Sequence, residues 1–343
     1  MAVSTDTLAI VSCADSGELH VLRLSADGQL QTAQVLAPGG QLMPMALCPD
    51  QRHLHVARRS DPLAVITLAL DAAAGRLHTV GEAALPASMA SLNTDRSGRW
   101  LFSASYGADM VAVQELGANG LAGTAATTYP TGRHAHCVLA DPSNRFVLAT
   151  SLGGGQLHRY GFDALTGRLK AMDEPVFAMP AGTGPRHLCF NQRGDRVYVL
   201  GELDACVHVL SFDPATGALA LLQTLPTLPG GVASAWGADL HLSPDGRWLY
   251  SSERNSHTLA GHAVDAHTGL LTPIGHWATE ETPRGFAITP DGRHLLAAGQ
   301  TSHQVSVHAI DPHSGALTVR ARHAVGQNPN WVVALPLRGS LAG

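Results

Sequence analysis

The chain reads as an all-β protein, a seven-bladed β-propeller with four antiparallel strands in each blade, and three observations predict that class. A tight turn running into an apolar strand, fullest at Ser243-Pro244-Asp245-Gly246-Arg247-Trp248-Leu249-Tyr250, recurs along the sequence. Its arginine falls at Arg52, Arg99, Arg145, Arg196, Arg247 and Arg293, in steps of 47, 46, 51, 51 and 46 residues. Between these turns lies a second signature, Gly-x-Leu: Gly28-Gln29-Leu30, Gly75-Arg76-Leu77, Gly167-Arg168-Leu169, Gly217-Ala218-Leu219, Gly269-Leu270-Leu271 and Gly315-Ala316-Leu317, with a degenerate copy at Gly120-Leu121. Seven Gly turns against six Pro-Asp-Gly turns means that one unit lacks its first turn, as in a ring cut open inside a blade. Thirdly, the two ends carry complementary fractions of one unit.

Taken in order, the first turn type combines a proline that pre-sets φ, an acid that closes a local hydrogen bond and a glycine that accepts positive φ. The apolar runs that follow read as strands. Thr7–Ser12, Glu18–Leu24 and Gln29–Leu36 are three strands before the first full unit. That unit then supplies four: Pro44–Cys48, His53–Ala57, Ala64–Leu70 and Arg76–Leu85. Four such strands in under 50 residues is a propeller blade. At the other end, 330–335 is a lone strand. It is expected to complete the N-terminal three-strand blade as its innermost member, which closes the ring and removes two sheet edges. One domain over residues 1–343 is expected, with a disordered tail at about 337–343.

Composition sets bounds on function. With 45% apolar and 14% charged residues the chain is globular, and a balance of 22 basic against 27 acidic residues, with no basic run, argues against a nucleic-acid partner. Lys170 is the one lysine, so any anion is held by arginine or histidine. Cys13, Cys48, Cys137, Cys189 and Cys206 are odd in number and never spaced C-x-x-C, which suits a reducing compartment. Thr7 to Cys13 is too short for a signal segment and no run approaches 18 apolar residues, so a cytoplasmic location with no membrane contact is expected. The sequence specifies no oligomeric state.

If the strands of a blade are lettered a to d from the axis outward, the entry to strand a and the b-to-c turn share one face of the ring. The Pro-Asp-Gly and Gly-x-Leu turns share the other. Counting back nine residues from each turn arginine predicts the channel-mouth residues Met43, Ala90, His136, His187, Ala238 and Arg284, with Asn330 equivalent. Near them fall His134, Arg186 and Asp239, and the b-to-c turns add Arg58 and Arg59, Tyr106, Glu202, Glu253 and Arg254, and Gln300 with His303. Polar side chains converging on one mouth of an apolar channel are the usual form of a small-molecule site. Each also has a plain structural use: among 19 histidines most are surface or core residues, and arginines at strand starts often serve the fold. His134-x-His136 places both rings on one side of a strand but has no third ligand, so neither metal nor cofactor is expected.

The same stretches resemble the seven-bladed lactonase family, whose members include the bacterial propeller-type 6-phosphogluconolactonase and the fungal carboxy-cis,cis-muconate cyclase. The resemblance spans nearly the whole chain. It rests on Ala181-Gly182-Thr183-Gly184-Pro185-Arg186-His187, Glu202-Leu203, Trp236-Gly237-Ala238-Asp239-Leu240-His241, Glu281-Thr282-Pro283-Arg284-Gly285-Phe286, Ala297-Ala298-Gly299-Gln300 with Ser302-His303, and Ala324-Val325-Gly326-Gln327 before Trp331. In the cyclase a histidine, two arginines and a glutamate carry the proposed site, and His136, Arg186, Arg284 and Glu202 match them. One departure is in the fourth b-to-c turn: where the bacterial phospholactonase pattern has a lysine, this chain has Ser151-Leu152-Gly153-Gly154.

The resemblance implies metal-independent hydrolysis of a sugar δ-lactone, foremost 6-phosphogluconolactone. In that reading Arg186 stabilises the developing oxyanion, Glu202 and His136 share the acid–base work in either order, and Arg284, with Arg58, grips the substrate's anion. His187, Tyr106, Asp239, Arg254, Gln300 and His303 complete the binding site. Hydrolysis of a plain aldonolactone, lactone isomerisation or muconate-type cyclisation, and a non-catalytic scaffold are the alternatives.

Overall fold

A computed structural model describes residues 6–232 and 234–337. It holds seven four-stranded antiparallel sheets. Blade 1 is Thr7–Cys13, Glu18–Leu24 and Leu30–Leu36, completed on the inside by Pro329–Pro336. Thr7 pairs with Pro336 and Cys13 with Pro329, so the ends of the chain close the ring as expected. Blades 2 to 7 run inside to outside in chain order, and their innermost strands are Leu42–Leu47, Ser91–Thr94, Ala135–Ala140, Pro185–Phe190, Gly237–Leu242 and Pro283–Ile288. The strands expected from the sequence agree within two residues. Of the expected tail, Leu337 donates its N–H to the Asp6 carbonyl at 2.9 Å and packs on the core. Residues 338–343 lie outside the described residues. No described helix is long and apolar enough to cross a membrane.

The apolar side chains form seven clusters, each between two neighbouring blades. Trp100, Phe102 and Val113 of blade 3 meet Val138, Val147 and Phe162 of blade 4, and Ala9, Val11 and Leu22 of blade 1 meet Leu296, Val305 and Val307 of blade 7. Inner strands are therefore covered on both faces and read as apolar runs, whereas outer strands such as Arg76–Ala84 alternate. At roughly 2 kcal/mol for each fully buried large side chain, these inter-blade clusters are the main source of stability.

On the turn face each a-to-b turn is closed by a local side-chain cap. At the end of strand a in blades 3 to 7 stand Asp95, Asp141, Asn191, Ser243 and Thr289, and each accepts the N–H that starts strand b, from Trp100, Phe146, Arg196, Trp248 and His294 at 2.7–3.1 Å. The Gly-x-Leu glycines have φ near +70 to +88 and lie against an aromatic or long side chain of the preceding blade; a Cβ on Gly167 would fall 2.4 Å from the Trp100 ring. Conformation and contact both require glycine there.

Candidate active site

The opposite face is built differently. In blades 2, 4, 5, 6 and 7 the pairing of strands a and b slips by one residue just inside the channel mouth. A bulge of this kind re-aims side chains, and these carry His136, Arg186, Asp239 and Arg284. Hydroxyls from the b strands pin the bulges across blades. Thr150 Oγ1 accepts the Cys137 N–H at 2.9 Å and donates to the Arg186 carbonyl at 2.9 Å; Ser252 Oγ accepts the Asp239 N–H at 3.0 Å and donates to the Arg284 carbonyl at 3.2 Å. The entry loops are held similarly. His134, Thr282 and Asn328 take left-handed φ of 53–60°, and their N–H groups donate to Asp109, His257 and His303 of the preceding blade. Such a φ is strained for a β-branched residue, so Thr282, two residues before Arg284, marks a tightly determined segment.

Nine residues gather at this mouth around a cleft of about 270 Å³: Arg59, Ala90, Tyr106, His136, Arg186, Glu202, Trp236, Arg254 and Arg284. The size suits a sugar-sized ligand. Glu202 is the one carboxylate lining it, against four guanidinium groups. Arg186 Nε lies 2.7 Å and Arg254 Nη2 2.9 Å from the same oxygen, Glu202 Oε2. Arg186 is sealed in, 1% exposed, with Nη1 donating to the Ala238 carbonyl and lying 3.4 Å from His187 Nε2. Arg254 donates to the Trp236 and Gly237 carbonyls and lies 4.0 Å over the Trp236 ring. Arg59 donates from Nε to Ser88. Arg284 differs from Arg186 and Arg254 in joining no ion pair among the described residues, and its buried Nε has no hydrogen-bond partner there.

The charges strain against one another. Burial, then the neighbouring Arg186, Arg254 and Arg59, push the Arg284 guanidinium well below the ordinary arginine range, and burial with Arg186 takes Arg254 down to about 9. An anion entering the cleft relieves that repulsion. Burial and then Arg186, His187, Arg284 and Arg254 hold His136 well below its ordinary value, so its imidazole is neutral at physiological pH. Tyr106 stacks on His134 at 4.1 Å and stands edge-on to His136 at 6.3 Å, and with Trp236 it forms an aromatic lip, each ring residue a little over a third exposed.

The structure brings His136, Arg186, Glu202, Arg254, Arg284 and Tyr106 together on one rim. Five other positions need correcting. Arg58 is the last residue of its strand and points outward, forking onto Glu82 at 3.0 and 2.6 Å; Arg59, the next residue, turns into the cleft. Gln300 donates to Asn328 Oδ1 at 2.7 Å and His303 Nδ1 accepts the Asn328 N–H at 3.2 Å, so both hold an entry loop and neither lines the cleft.

His187 and Asp239 lie one layer below the mouth, bonded to each other at 2.6 Å. The error for His187 has a specific source. In five blades the turn arginine follows a left-handed residue (Gln51, Gly98, Asn144, Gly246, Gly292), but in blade 5 Gly194 is followed by Asp195. Counting from Arg196 is therefore one residue late, and the mouth position is Arg186. Trp236 was legible as part of the Trp236–His241 stretch, but nothing in its spacing marked it as lining the site.

A family model described as Lactonase, 7-bladed beta-propeller matches residues 3–334. A 6-phosphogluconolactonase from Pectobacterium carotovorum is 39% identical, over 95% of this chain and 98% of the relative. One from Sodalis glossinidius is 36% identical, over 96% and 98%. Among solved structures, the Pseudomonas aeruginosa periplasmic gluconolactonase is 27% identical with a TM-score of 0.89, covering 97% of this chain and 99% of that one. Sequence, fold and coverage agree, and the chain belongs to the seven-bladed β-propeller lactonase family.

Proposed function

We propose that this chain hydrolyses the δ-lactone of a sugar acid, with 6-phosphogluconolactone as its substrate, using guanidinium groups as the electrophilic element. The observation that carries the reading is the charge of the cleft: four arginines around one carboxylate, with Arg284 unpartnered, suit a substrate that arrives as an anion and develops a second negative charge on its carbonyl oxygen.

Arg284 lies within charge range of Glu202, Arg186, Arg254 and Arg59, at the centre of the group, and is assigned the oxyanion. Arg186 is engaged on several sides and is assigned the holding of Glu202. This departs from the roles expected from sequence, in which Arg186 stabilises the oxyanion and Arg284 grips the substrate's anion. Arg59, at the edge, is assigned the phosphate. Both arginines touch Oε2 of Glu202, which leaves Oε1 for the water. As the water oxygen bonds to the carbonyl carbon, Oε1 takes its proton and the carbonyl electron pair moves onto oxygen against Arg284. Collapse breaks the bond to the ring oxygen, which receives that proton from Glu202, and the acid product ionises. His136, neutral among cations, is fit to orient the water or substrate by a hydrogen bond and unfit to act as the acid.

The test is kcat/KM on 6-phosphogluconolactone and on plain gluconolactone, read fast enough to subtract spontaneous ring opening, in heavy-oxygen water. The expected result is a preference for the phosphorylated lactone and one solvent oxygen in the product. Equal rates would favour the second reading, a plain gluconolactonase, which the Pseudomonas relative and the buried Leu152 in place of a cation support. Unlabelled product would indicate isomerisation.

The five free cysteines support a cytoplasmic location, which cell fractionation would check against the periplasmic location of the Pseudomonas relative.

A further inference from the structure

Beneath the cleft, the side chains of His187, Asp239 and His241 form one hydrogen-bonded cluster. Asp239 Oδ1 accepts from His187 Nδ1 at 2.6 Å and from the Leu240 N–H at 2.9 Å; Oδ2 accepts from His241 Nε2 at 3.0 Å and from the Phe286 N–H at 3.2 Å. His187 and Asp239 are 7% and 5% exposed and do not line the cleft. A carboxylate can only accept, so His187 carries its proton on Nδ1, and Nε2 presents its lone pair to Arg186 Nη1 at 3.4 Å. His187 directly follows Arg186, and Phe286 lies two residues beyond Arg284. One carboxylate in blade 6 therefore ties the arginine-bearing bulge of blade 5 to that of blade 7.

We propose that Asp239 and His187 are positioning residues: the pair fixes the Arg186 guanidinium against Glu202 and sets the separation of Arg186 and Arg284. The inference rests on the lactonase reading above, and it adds that the layer below the site, which touches no substrate, governs turnover. A buried carboxylate shared by three blades is more than packing requires, since well-packed apolar residues fill a core at lower desolvation cost. The arrangement resembles a metal-free version of the outer shells that orient catalytic histidines, with an arginine as the group being oriented.

The experiment uses the full chain with Asp239→Asn, His187→Asn and His187→Gln, reading kcat and KM on 6-phosphogluconolactone and affinity for inorganic phosphate by calorimetry. Asn at 187 keeps a donor where Nδ1 stands but loses the acceptor facing Arg186; Gln can place its carbonyl oxygen where Nε2 stands. The expected result is a fall in kcat of about 10²-fold for Asp239→Asn and His187→Asn, the scale of a small misplacement of catalytic groups, with KM changed far less. His187→Gln should retain more activity than His187→Asn, and Asp239→Asn should cost less on the His187→Gln background than on the wild type.

Phosphate affinity should weaken with KM, by less than kcat falls, because Arg186 and Arg284 share the cleft with Arg59, and this readout holds whichever lactone is the substrate. Wild-type kcat and phosphate affinity in folded Asp239→Asn and His187→Asn, with only a lower Tm, would overturn the proposal. If Asp239→Asn does not fold, the two His187 variants decide it. A wild type that opens no lactone yet binds phosphate, and loses that affinity in the variants, would defeat the lactonase reading and leave the positioning role standing.

Discussion

The two faces of the ring are made by the same repeated blade and differ in what their bonds between blades hold. On the turn face, Asp95, Asp141, Asn191, Ser243 and Thr289 each satisfy N–H groups within five residues of themselves. On the mouth face the partners lie in the next blade: Thr150 holds Arg186, Ser252 holds Arg284, and His257 holds Thr282. The turn-face arginines are used up between blades: Arg96 donates to the Ala140 and Asp141 carbonyls, Arg193 to those of Ala266 and His267, and Arg247 to that of Pro312. A mouth loop held by its backbone leaves its own side chains to face the channel, and among the described residues Arg284 joins no ion pair and its buried Nε has no hydrogen-bond partner. The difference teaches that the repeat supplies the scaffold twice over, and that the candidate site sits where the bonds between blades hold backbone and leave Arg284 facing the cleft.

Removing the mouth's single carboxylate should have the largest effect. Glu202→Gln keeps the shape and loses the base, and kcat/KM should fall by about 10²–10⁴-fold, measured by initial rates. Arg284→Ala follows, at roughly 2–4 kcal/mol of transition-state stabilisation on phosphorylated and plain lactones alike, whereas Arg58→Ala, tied to Glu82 on the outside, should leave kcat/KM unchanged. Matching losses from both arginines would erase the distinction between an inward and an outward guanidinium.

Stability responds to both regions. Burial takes His55, His187, His262 and His308 down to about 4 from an ordinary value near 6.5, so the folded protein keeps them neutral while the unfolded chain takes up protons. Their contribution is complete above pH 6.5 and is lost as pH falls through that range toward 4. Urea midpoints at pH 7.5, 6 and 5 should decline in that order, and a flat series would contradict it. On the turn face, Asp141→Ala strips a buried acceptor from the Ser143, Arg145 and Phe146 N–H groups and should cost about 2 kcal/mol in urea unfolding, with kcat/KM of the folded enzyme unchanged.

Two of the corrections at the site share one cause. Arg58 and Arg59 are adjacent, equally basic and at the same turn; alternation sends one out and one in, and only the end of the strand says which. Arg186 and His187 are adjacent too, and a one-residue slip between Gly194 and Arg196 exchanges their layers. Period and turn chemistry are legible over tens of residues, but register at a bulge is a matter of one.

From the sequence alone followed the seven blades, the closure of the ring by residues 330–335, and the gathering of His136, Arg186, Glu202 and Arg284 on one rim. All of these depend on local turn chemistry and on repeat counting, which each stretch of chain encodes for itself. The tertiary structure alone decided which arginine is free, which oxygen of Glu202 the others occupy, and that His187 and Asp239 brace the site from below. Those are contacts between blades about 50 residues apart, set by the angle at which one sheet packs on the next, and no single blade's sequence contains that angle.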